Sequence, residues 1–85
     1  MQTLTGQLLQ NGLVVADGVR GNFEVEVQRD GTERWSGYFI LPPGITVNNG
    51  QHYDLALNDG RAKQIEISRV NAYPTQTTVS FGSPN

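Results

Sequence analysis

Apolar and polar residues alternate along most of the chain, with the period of two that is typical of β-strands having one buried face. The clearest example is FEVEV, in which Phe23, Val25 and Val27 share one face and Glu24 and Glu26 share the other. No segment shows the 3.6-residue period of an amphipathic helix. Glycine, proline, asparagine or aspartate interrupts the pattern at intervals of about ten residues, which predicts short antiparallel strands joined by turns.

The alternating segments predict strands at residues 3–9, 13–16, 22–28, 33–41, 52–57, 63–70 and 76–82. A chain of 85 residues is short enough to be a single domain, 1–85. We expect an all-β fold, a small antiparallel and partly open barrel (SH3-like or OB-like) of about five to seven strands, with a β-sandwich as the alternative. The predicted core comprises Leu4, Leu8, Val15, Phe23, Val25, Val27, Trp35, Phe39, Leu41, Tyr53, Leu55, Leu57, Ile65, Ile67, Val79 and Phe81.

The turn within VQRDGTERW can be assigned from the register that it imposes. A two-residue loop would place Trp35 across from Glu26, on the charged face of the preceding strand. A three-residue loop of residues 29–31 pairs Val25 with Trp35 and collects the apolar side chains on one face. We therefore predict the three-residue loop, with Gly31 in the left-handed conformation that glycine adopts most easily.

Five Asx-Gly dipeptides punctuate the chain, and each one could turn the backbone or bind a cation. They are Asn11-Gly12, Asp17-Gly18, Asp30-Gly31, Asn49-Gly50 and Asp59-Gly60. A calcium loop needs oxygen ligands at alternate positions around its glycine, and none of the five has this spacing. We interpret all five as turns. Residues 58–60 should form another three-residue loop, whereas the pattern around Asn11-Gly12 fits a loop of either two or three residues.

Composition narrows the classes of function. The chain has no cysteine, so disulfides, thiolate zinc sites and cysteine nucleophiles are excluded. With a net charge of −2, the chain lacks the overall positive charge that attracts the phosphate backbone of nucleic acids. Nucleic acid is therefore the less favoured partner. The segment MQTLTGQLLQ lacks the basic and apolar regions of a signal peptide, and no apolar run has the length of about 20 residues that spans a membrane. We expect a cytoplasmic protein without membrane contact.

Catalytic chemistry finds little support in the residues. His52 is the only histidine, so a zinc site would lack both a second imidazole and a thiolate. No nucleophile-elbow motif accompanies it. Glu24 and Glu26 share a strand face, but that face should be solvated, with Arg34 across from Glu26. We therefore expect no catalytic residue, no metal, no cofactor and no enzymatic activity.

Basic residues suggest one candidate binding site, at the rim of the predicted barrel. Arg61, Lys63 and Arg69 have the same parity as Ile65 and Ile67, which is unusual for one continuous strand. In one interpretation their aliphatic stems cover the edge of the core while the charged groups reach water. In the other, Arg61 and Lys63, together with Arg34, form a rim that binds an anion or another ligand.

The segment YDLALNDGRAKQIEISRV resembles the Tyr-x-Leu-x-Leu-x-Asp-Gly-Arg hairpin of small, uncharacterised bacterial all-β barrel domains. The likeness covers this one hairpin, about a fifth of the chain. It implies a β-hairpin, and it implies no activity and no functional residue.

The stretch RWSGYFILPPG is apolar on both faces near its end. Phe39 and Leu41 take the core face, which leaves Tyr38 and Ile40 on the opposite face, where polar residues are usual. Either another segment covers this pair, such as Leu9 or residues 45–47, or the pair forms an exposed patch that binds a partner.

Two classes of function fit these observations. The favoured class is a non-catalytic interaction or self-assembling structural module that uses Tyr38 and Ile40 to bind a second copy of the chain, preferably as a homodimer, or another protein. The alternative is a ligand-binding barrel for single-stranded nucleic acid or a glycan, with Tyr38 or Tyr73 beside Arg34 or Arg61.

Overall fold

The computed structural model describes residues 1–84, which form one barrel of antiparallel strands without a helix. The strands are β1 (Gln2–Gln10), β2 (Leu13–Val27), β3 (Glu33–Leu41), β4 (His52–Leu57), β5 (Ala62–Ala72) and β6 (Thr77–Gly82). The all-β barrel predicted from the alternation is confirmed. It is closed, in the order β1-β2-β3-β6-β5-β4, and therefore not partly open. No helix long and apolar enough to span a membrane occurs among residues 1–84.

Two meanders of three strands build the barrel, one from β1 to β3 and the other from β4 to β6. Antiparallel pairing of β1 with β4 and of β3 with β6 joins them into a cylinder. The connection between them, residues 42–51, returns to the second meander at its end. There the Gly50 N–H donates to the Ile67 carbonyl at 2.8 Å, and Ile67 N–H donates to Gln51 at 3.0 Å. Within this connection, Val47 is buried and adds to the core.

The hairpin between β2 and β3 has the predicted register. Val25 lies across from Trp35, so the apolar side chains share the inner face. Gln28 N–H donates to the Thr32 carbonyl at 2.7 Å, and Gly31 N–H donates back to Gln28 at 3.0 Å, which closes a loop of residues 29–31. Gly31 has a φ of 89°, in the left-handed region.

Two further Asx-Gly sites are turns whose loop lengths the structure defines. Asn11 and Gly12, with φ values of 53° and 79°, form a two-residue loop between paired Gln10 and Leu13. Residues 58–60 form the predicted three-residue loop, closed by the Leu57 N–H donating to the Arg61 carbonyl at 2.7 Å.

Asp17-Gly18 was expected to be a turn, and this expectation is wrong. The dipeptide lies inside β2, so the predicted strands 13–16 and 22–28 are two parts of one strand of 15 residues. Gly6 pairs with Val19 and Gln7 pairs with Asp17, which leaves Gly18, at a φ of 71°, as the extra residue of a β-bulge. A positive φ with glycine suits a bulge as well as a turn, so the dipeptide alone does not separate the two.

A bulge in β5 explains why Arg69 is exposed despite having the same parity as Ile65 and Ile67. Ile67 pairs with Phe81, but Arg69 pairs with Ser80, so the register shifts at Ser68. Arg69 is therefore exposed even though Ile65 and Ile67 are buried. The bulge also re-aims the end of the strand, and Val70 packs partly against the core.

Most of the predicted core is buried. The confirmed residues are Leu4, Leu8, Phe23, Trp35, Phe39, Leu41, Tyr53, Leu55, Leu57, Ile65, Ile67, Val79 and Phe81, while Val15 and Val25 are half-buried. Val27 was predicted to be buried and is 66% exposed, because it lies at the end of β2 beyond the last layer of the core. Ala16 and Val19 are buried although neither was predicted, since the bulge at Gly18 shifts the alternation between them.

Three inward-facing glycines lie where neighbouring strands approach most closely. A Cβ atom at Gly6 would overlap the Ala56 carbonyl, one at Gly21 the Tyr38 carbonyl, and one at Gly37 the Asn22 carbonyl. The atoms in the way are backbone atoms of a paired strand, which cannot move aside by a change of rotamer. The barrel therefore requires glycine at these positions.

We predict that Gly21→Ala destabilises the fold by more than about 2 kcal/mol, because the added methyl group forces β2 and β3 apart. The melting temperature should fall by roughly 10 °C. Gly82→Ala is the matched control, since its Cβ would meet nothing nearer than the Trp35 carbonyl at 4.0 Å. Thermal unfolding followed by circular dichroism measures both variants. Equal stability of the two would contradict the close approach of the strands at Gly21.

Candidate functional site

The outer surface of β2, β3 and β6 carries Tyr38 at its centre. Tyr38 pairs with Asn22 on one side and with Ser80 on the other, and all three side chains point away from the core. Asn22 Nδ2 donates to the Tyr38 hydroxyl oxygen at 2.8 Å, which orients the phenol ring. Tyr38 is 37% exposed, so the ring is available for contact while one of its edges is fixed.

Ile40 continues the same outer face toward the end of β3. It pairs with Arg20 of β2 and Thr78 of β6, and 37% of its surface is exposed. The segments considered as covers lie elsewhere. Ile45 and Val47 pack with the core, and Leu9 is on β1 across from Asp54. Tyr38 and Ile40 therefore remain open to solvent on neighbouring positions of one strand face.

A groove of about 490 Å³ adjoins Ile40. Its walls include Pro42 and Pro43, which follow β3, and Tyr73, which begins the turn between β5 and β6 and is 59% exposed. Arg20 also lines the groove, and no carboxylate does so among the residues that the structure describes. We call Tyr38, Ile40, Pro42, Pro43 and Tyr73 the outer patch. It combines apolar surface with one cation at its edge.

Arg61 lies at the opposite end of the barrel, over the aromatic core. Its guanidinium carbon is 5.3 Å from the centre of the Phe23 ring and 5.8 Å from that of Trp35, which is the geometry of a cation–π contact. Arg61 Nη2 donates to Gln2 Oε1 at 3.0 Å and lies 2.8 Å from Asp59 Oδ2. Arg61 thus lies at the edge of the core, as one of the two interpretations predicted, but it is the guanidinium that lies over the rings.

The other two predicted rim residues share a separate groove at that end. Arg34 and Lys63 both line a groove of about 500 Å³, which Glu33 also lines. Arg34 Nη2 donates to the Ser83 carbonyl at 3.4 Å, and Arg34 lies across from Glu26 as predicted. The structure brings Arg34 and Lys63 together and directs Arg61 onto the core. Because Glu33 and Asp59 lie among these cations, the rim is not a concentrated positive surface.

His52 and the carboxylates do not converge on one point. His52 Nε2 is 3.4 Å from Glu66 Oε2 on the neighbouring strand, and both side chains are partly exposed. Glu24 and Glu26 lie on the exposed face of β2. Within residues 1–84, no group of three or more histidine, cysteine, aspartate or glutamate side chains could hold a metal ion.

Comparison of the chain with protein-family models, curated proteins and solved structures finds no match in any of the three.

The sequence singled out Tyr38, Ile40 and Tyr73 as candidates, and the structure adds Arg20 and the two prolines to the groove beside them. Arg20 is distant in sequence from Tyr73, and the barrel brings them together because β2 and β6 flank β3 on either side. The signal available in the sequence was the register of β2 against β3. Extending the predicted pairing of Val25 with Trp35 places Arg20 across from Ile40.

The pKa of Asp59 tests the contact that Arg61 makes. A hydrogen bond from the Arg61 side chain, and then one from its backbone N–H, lowers the pKa of Asp59 below 3.8. The lowered pKa means that this carboxylate stabilises the fold above pH 3.8, and that the contribution is lost as the pH falls through the lower folded value. We predict that Arg61→Gln raises the pKa of Asp59 toward 3.8, although not fully, because the backbone N–H of residue 61 still donates at 3.0 Å.

NMR titration of the Asp59 carboxyl carbon measures this shift, and Lys63→Gln is the matched control with the same loss of charge. When the pH is lowered from neutral to below the pKa of Asp59, the free energy of unfolding should fall less in the Arg61→Gln variant than in the wild type. An unchanged Asp59 titration would show that the Arg61 guanidinium lies elsewhere in solution.

Proposed function

We propose that this protein is a non-catalytic protein-interaction module whose contact surface is the outer patch, with self-association as the contact it makes. The observation that carries the proposal is the position of Tyr38 and Ile40. Each is 37% exposed on the outer face of β3, and their surface continues into the groove beside Pro42 and Tyr73. Contiguous apolar surface of this kind, with polar residues around it, is characteristic of sites that bind other proteins.

The closed barrel favours contact through side chains. At Tyr38 and Ile40, β3 is paired with β2 on one side and with β6 on the other, so a partner cannot extend the sheet along β3 at these positions. Among residues 1–84, the side chains that line the groove include no histidine, cysteine or carboxylate that could act as nucleophile or base. Both features support binding as the role of this surface. The absence of cysteine supports a reducing compartment such as the cytoplasm.

Burial of Tyr38 and Ile40 would stabilise a contact between two molecules only weakly. Full burial of a large apolar side chain contributes about 1.5–3 kcal/mol, so burying the exposed third of Tyr38 or Ile40 contributes on the order of 0.5–1 kcal/mol for each. Association costs at least about 4 kcal/mol in lost freedom of motion. Tyr38 and Ile40 alone therefore do not hold two molecules together, and the polar and charged side chains beside them must contribute to the contact.

We predict that Tyr38→Lys combined with Ile40→Glu converts a wild-type dimer into a folded monomer, because it introduces charges at the centre of the contact. Light scattering at increasing protein concentration measures the mass, and circular dichroism measures the melting temperature. The matched control is His52→Glu with Asp54→Lys, which introduces the same two residue types at exposed positions of β4, on the far side of the barrel from β3.

A wild-type protein that stays monomeric up to millimolar concentration would overturn self-association through the outer patch. A double variant that remains dimeric would show that the contact lies on another surface.

A second candidate function is supported by the groove itself. Tyr73 is 59% exposed and lines the same groove as Arg20, which combines a stacking surface with a cation. This pairing suits single-stranded nucleic acid or a glycan. Of the combinations expected from the sequence, Arg61 with Tyr73 is separated, since the two residues lie beyond opposite ends of the 11-residue strand β5.

For this alternative we predict that a short single-stranded oligonucleotide binds with an affinity that falls steeply as salt rises, because bound counterions are released from the phosphates. Fluorescence anisotropy at low and physiological salt measures the effect. Arg20→Ala should weaken the binding, whereas Lys63→Ala, at the other end of the barrel, should not. Failure to bind any oligonucleotide at low salt would overturn the nucleic-acid form of the alternative.

A further inference from the structure

We infer that the partner of the outer patch is a second copy of this chain, related by a two-fold axis that crosses β3 at Tyr38, so that Arg20 of each copy meets Glu24 of the other. This inference rests on the proposed function, because it assigns a geometry to the self-association proposed there. It is carried by the placement of charge around Tyr38.

Two opposite charges on the outer face of β2, Arg20 and Glu24, lie at equal distances from the position of Tyr38, and Glu26 lies further along the same face, across from Arg34. Asn22 lies across from Tyr38, Arg20 lies two residues to one side across from Ile40, and Glu24 lies two residues to the other side across from Ser36. Arg20 and Glu24 are both exposed. Four residues of extended strand separate them by about 13 Å, so they cannot form an ion pair within one molecule.

A two-fold axis in the contact plane and perpendicular to β3 reverses the strand direction of the second copy. With the axis at Tyr38, the two Tyr38 rings meet, and Ile40 packs over Ser36 of the other copy. Arg20 then faces Glu24 of the other copy. Symmetry repeats this contact, so the dimer would contain two such ion pairs.

Charge distinguishes this axis from its neighbours. An axis one position along the face, at Ile40, would place Arg20 against Arg20 of the other copy. An axis at Ser36 would place Glu24 against Glu24. Like charges facing each other oppose association, so the axis at Tyr38 is the one that the charges of β2 favour.

The shape of the barrel fits this arrangement. In a barrel of six strands, neighbours turn away from one another by about 60°, so two barrels touch mainly along β3 and the flanking strands diverge. Arg20 and Glu24, on the β2 flank, have side chains long enough to reach across such a gap. On the β6 flank, Thr78, Ser80 and Gly82 are small and half-buried, and they allow the two Tyr38 rings to approach.

The size of the contact predicts its strength. Three strands about 4.8 Å apart, over three side-chain positions about 7 Å apart, give at most on the order of 300–500 Å² for each copy. Stable specific interfaces bury about 800 Å² on each side. We therefore expect a reversible dimer with a dissociation constant in the micromolar range or weaker.

Charge reversal tests the geometry directly. Sedimentation equilibrium from about 10 μM to 1 mM, which brackets weak dimers, is measured for the wild type, Arg20→Glu, Glu24→Arg and the double variant carrying both changes. Each single variant creates two like-charge contacts in the proposed dimer and should raise the dissociation constant by about ten-fold or more. The double variant has the wild-type net charge and restores both ion pairs, so its dissociation constant should return to within about three-fold of the wild type.

Arg69→Glu is the matched control, with the same change of charge at an exposed position of β5 outside the contact. It should leave the dissociation constant unchanged. Melting temperatures of all variants show whether they remain folded.

The outcomes separate this geometry from the proposal on which it rests. Dimerisation that is lost in the Tyr38→Lys, Ile40→Glu variant but not rescued in the charge-swapped double variant would overturn the two-fold arrangement and leave the outer patch as the contact. Single variants that dimerise as well as the wild type would overturn it in the same way. A wild-type monomer at every concentration would overturn both.

Discussion

Six strands can close around a filled core only if some of the inward positions carry no side chain, and this constraint shapes the whole molecule. Gly6, Gly21 and Gly37 supply those positions, each facing a carbonyl of a paired strand. The space that they leave is used by their neighbours across the barrel. Gly21 lies across from Phe39, and Gly37 lies between Phe23 and Phe81. At Gly21 and Gly37, large rings on the paired strands thus accompany glycines within the narrow interior.

The same constraint determines what reaches the outer surface. Because Phe39 must point inward across from Gly21, its neighbours Tyr38 and Ile40 must point outward. Bulges at Gly18 and Ser68 let the long strands coil without breaking, and they keep Val19 and Ile67 in the core. The apolar outer face is therefore a consequence of how the barrel is packed. Whether it binds a second copy depends on the charges that flank it.

Local chemistry made part of this fold predictable. The β2–β3 register followed from the loop glycine and from the parity of Val25 and Trp35, since both act within a few residues of the turn. Other features depend on neighbours far along the chain. The dipeptide Asp17-Gly18 is compatible with a bulge and with a turn, so its sequence does not distinguish them. The exposure of Val27 depends on where the barrel ends. The groove between Arg20, the prolines and Tyr73 exists only once β3 lies between β2 and β6, so no stretch of sequence contains it.

The way in which the two meanders are joined has a consequence for how the chain folds. Each meander consists of hairpins whose contacts are local, but the pairings of β1 with β4 and of β3 with β6 link residues far apart in sequence. The chain must therefore lose the entropy of closing the ten-residue connection between β3 and β4 before those pairings can stabilise it. Until this connection closes, β1 and β3 are unpaired edge strands, through which partly folded chains can pair with one another. Folding should accordingly be slow for a chain of this size.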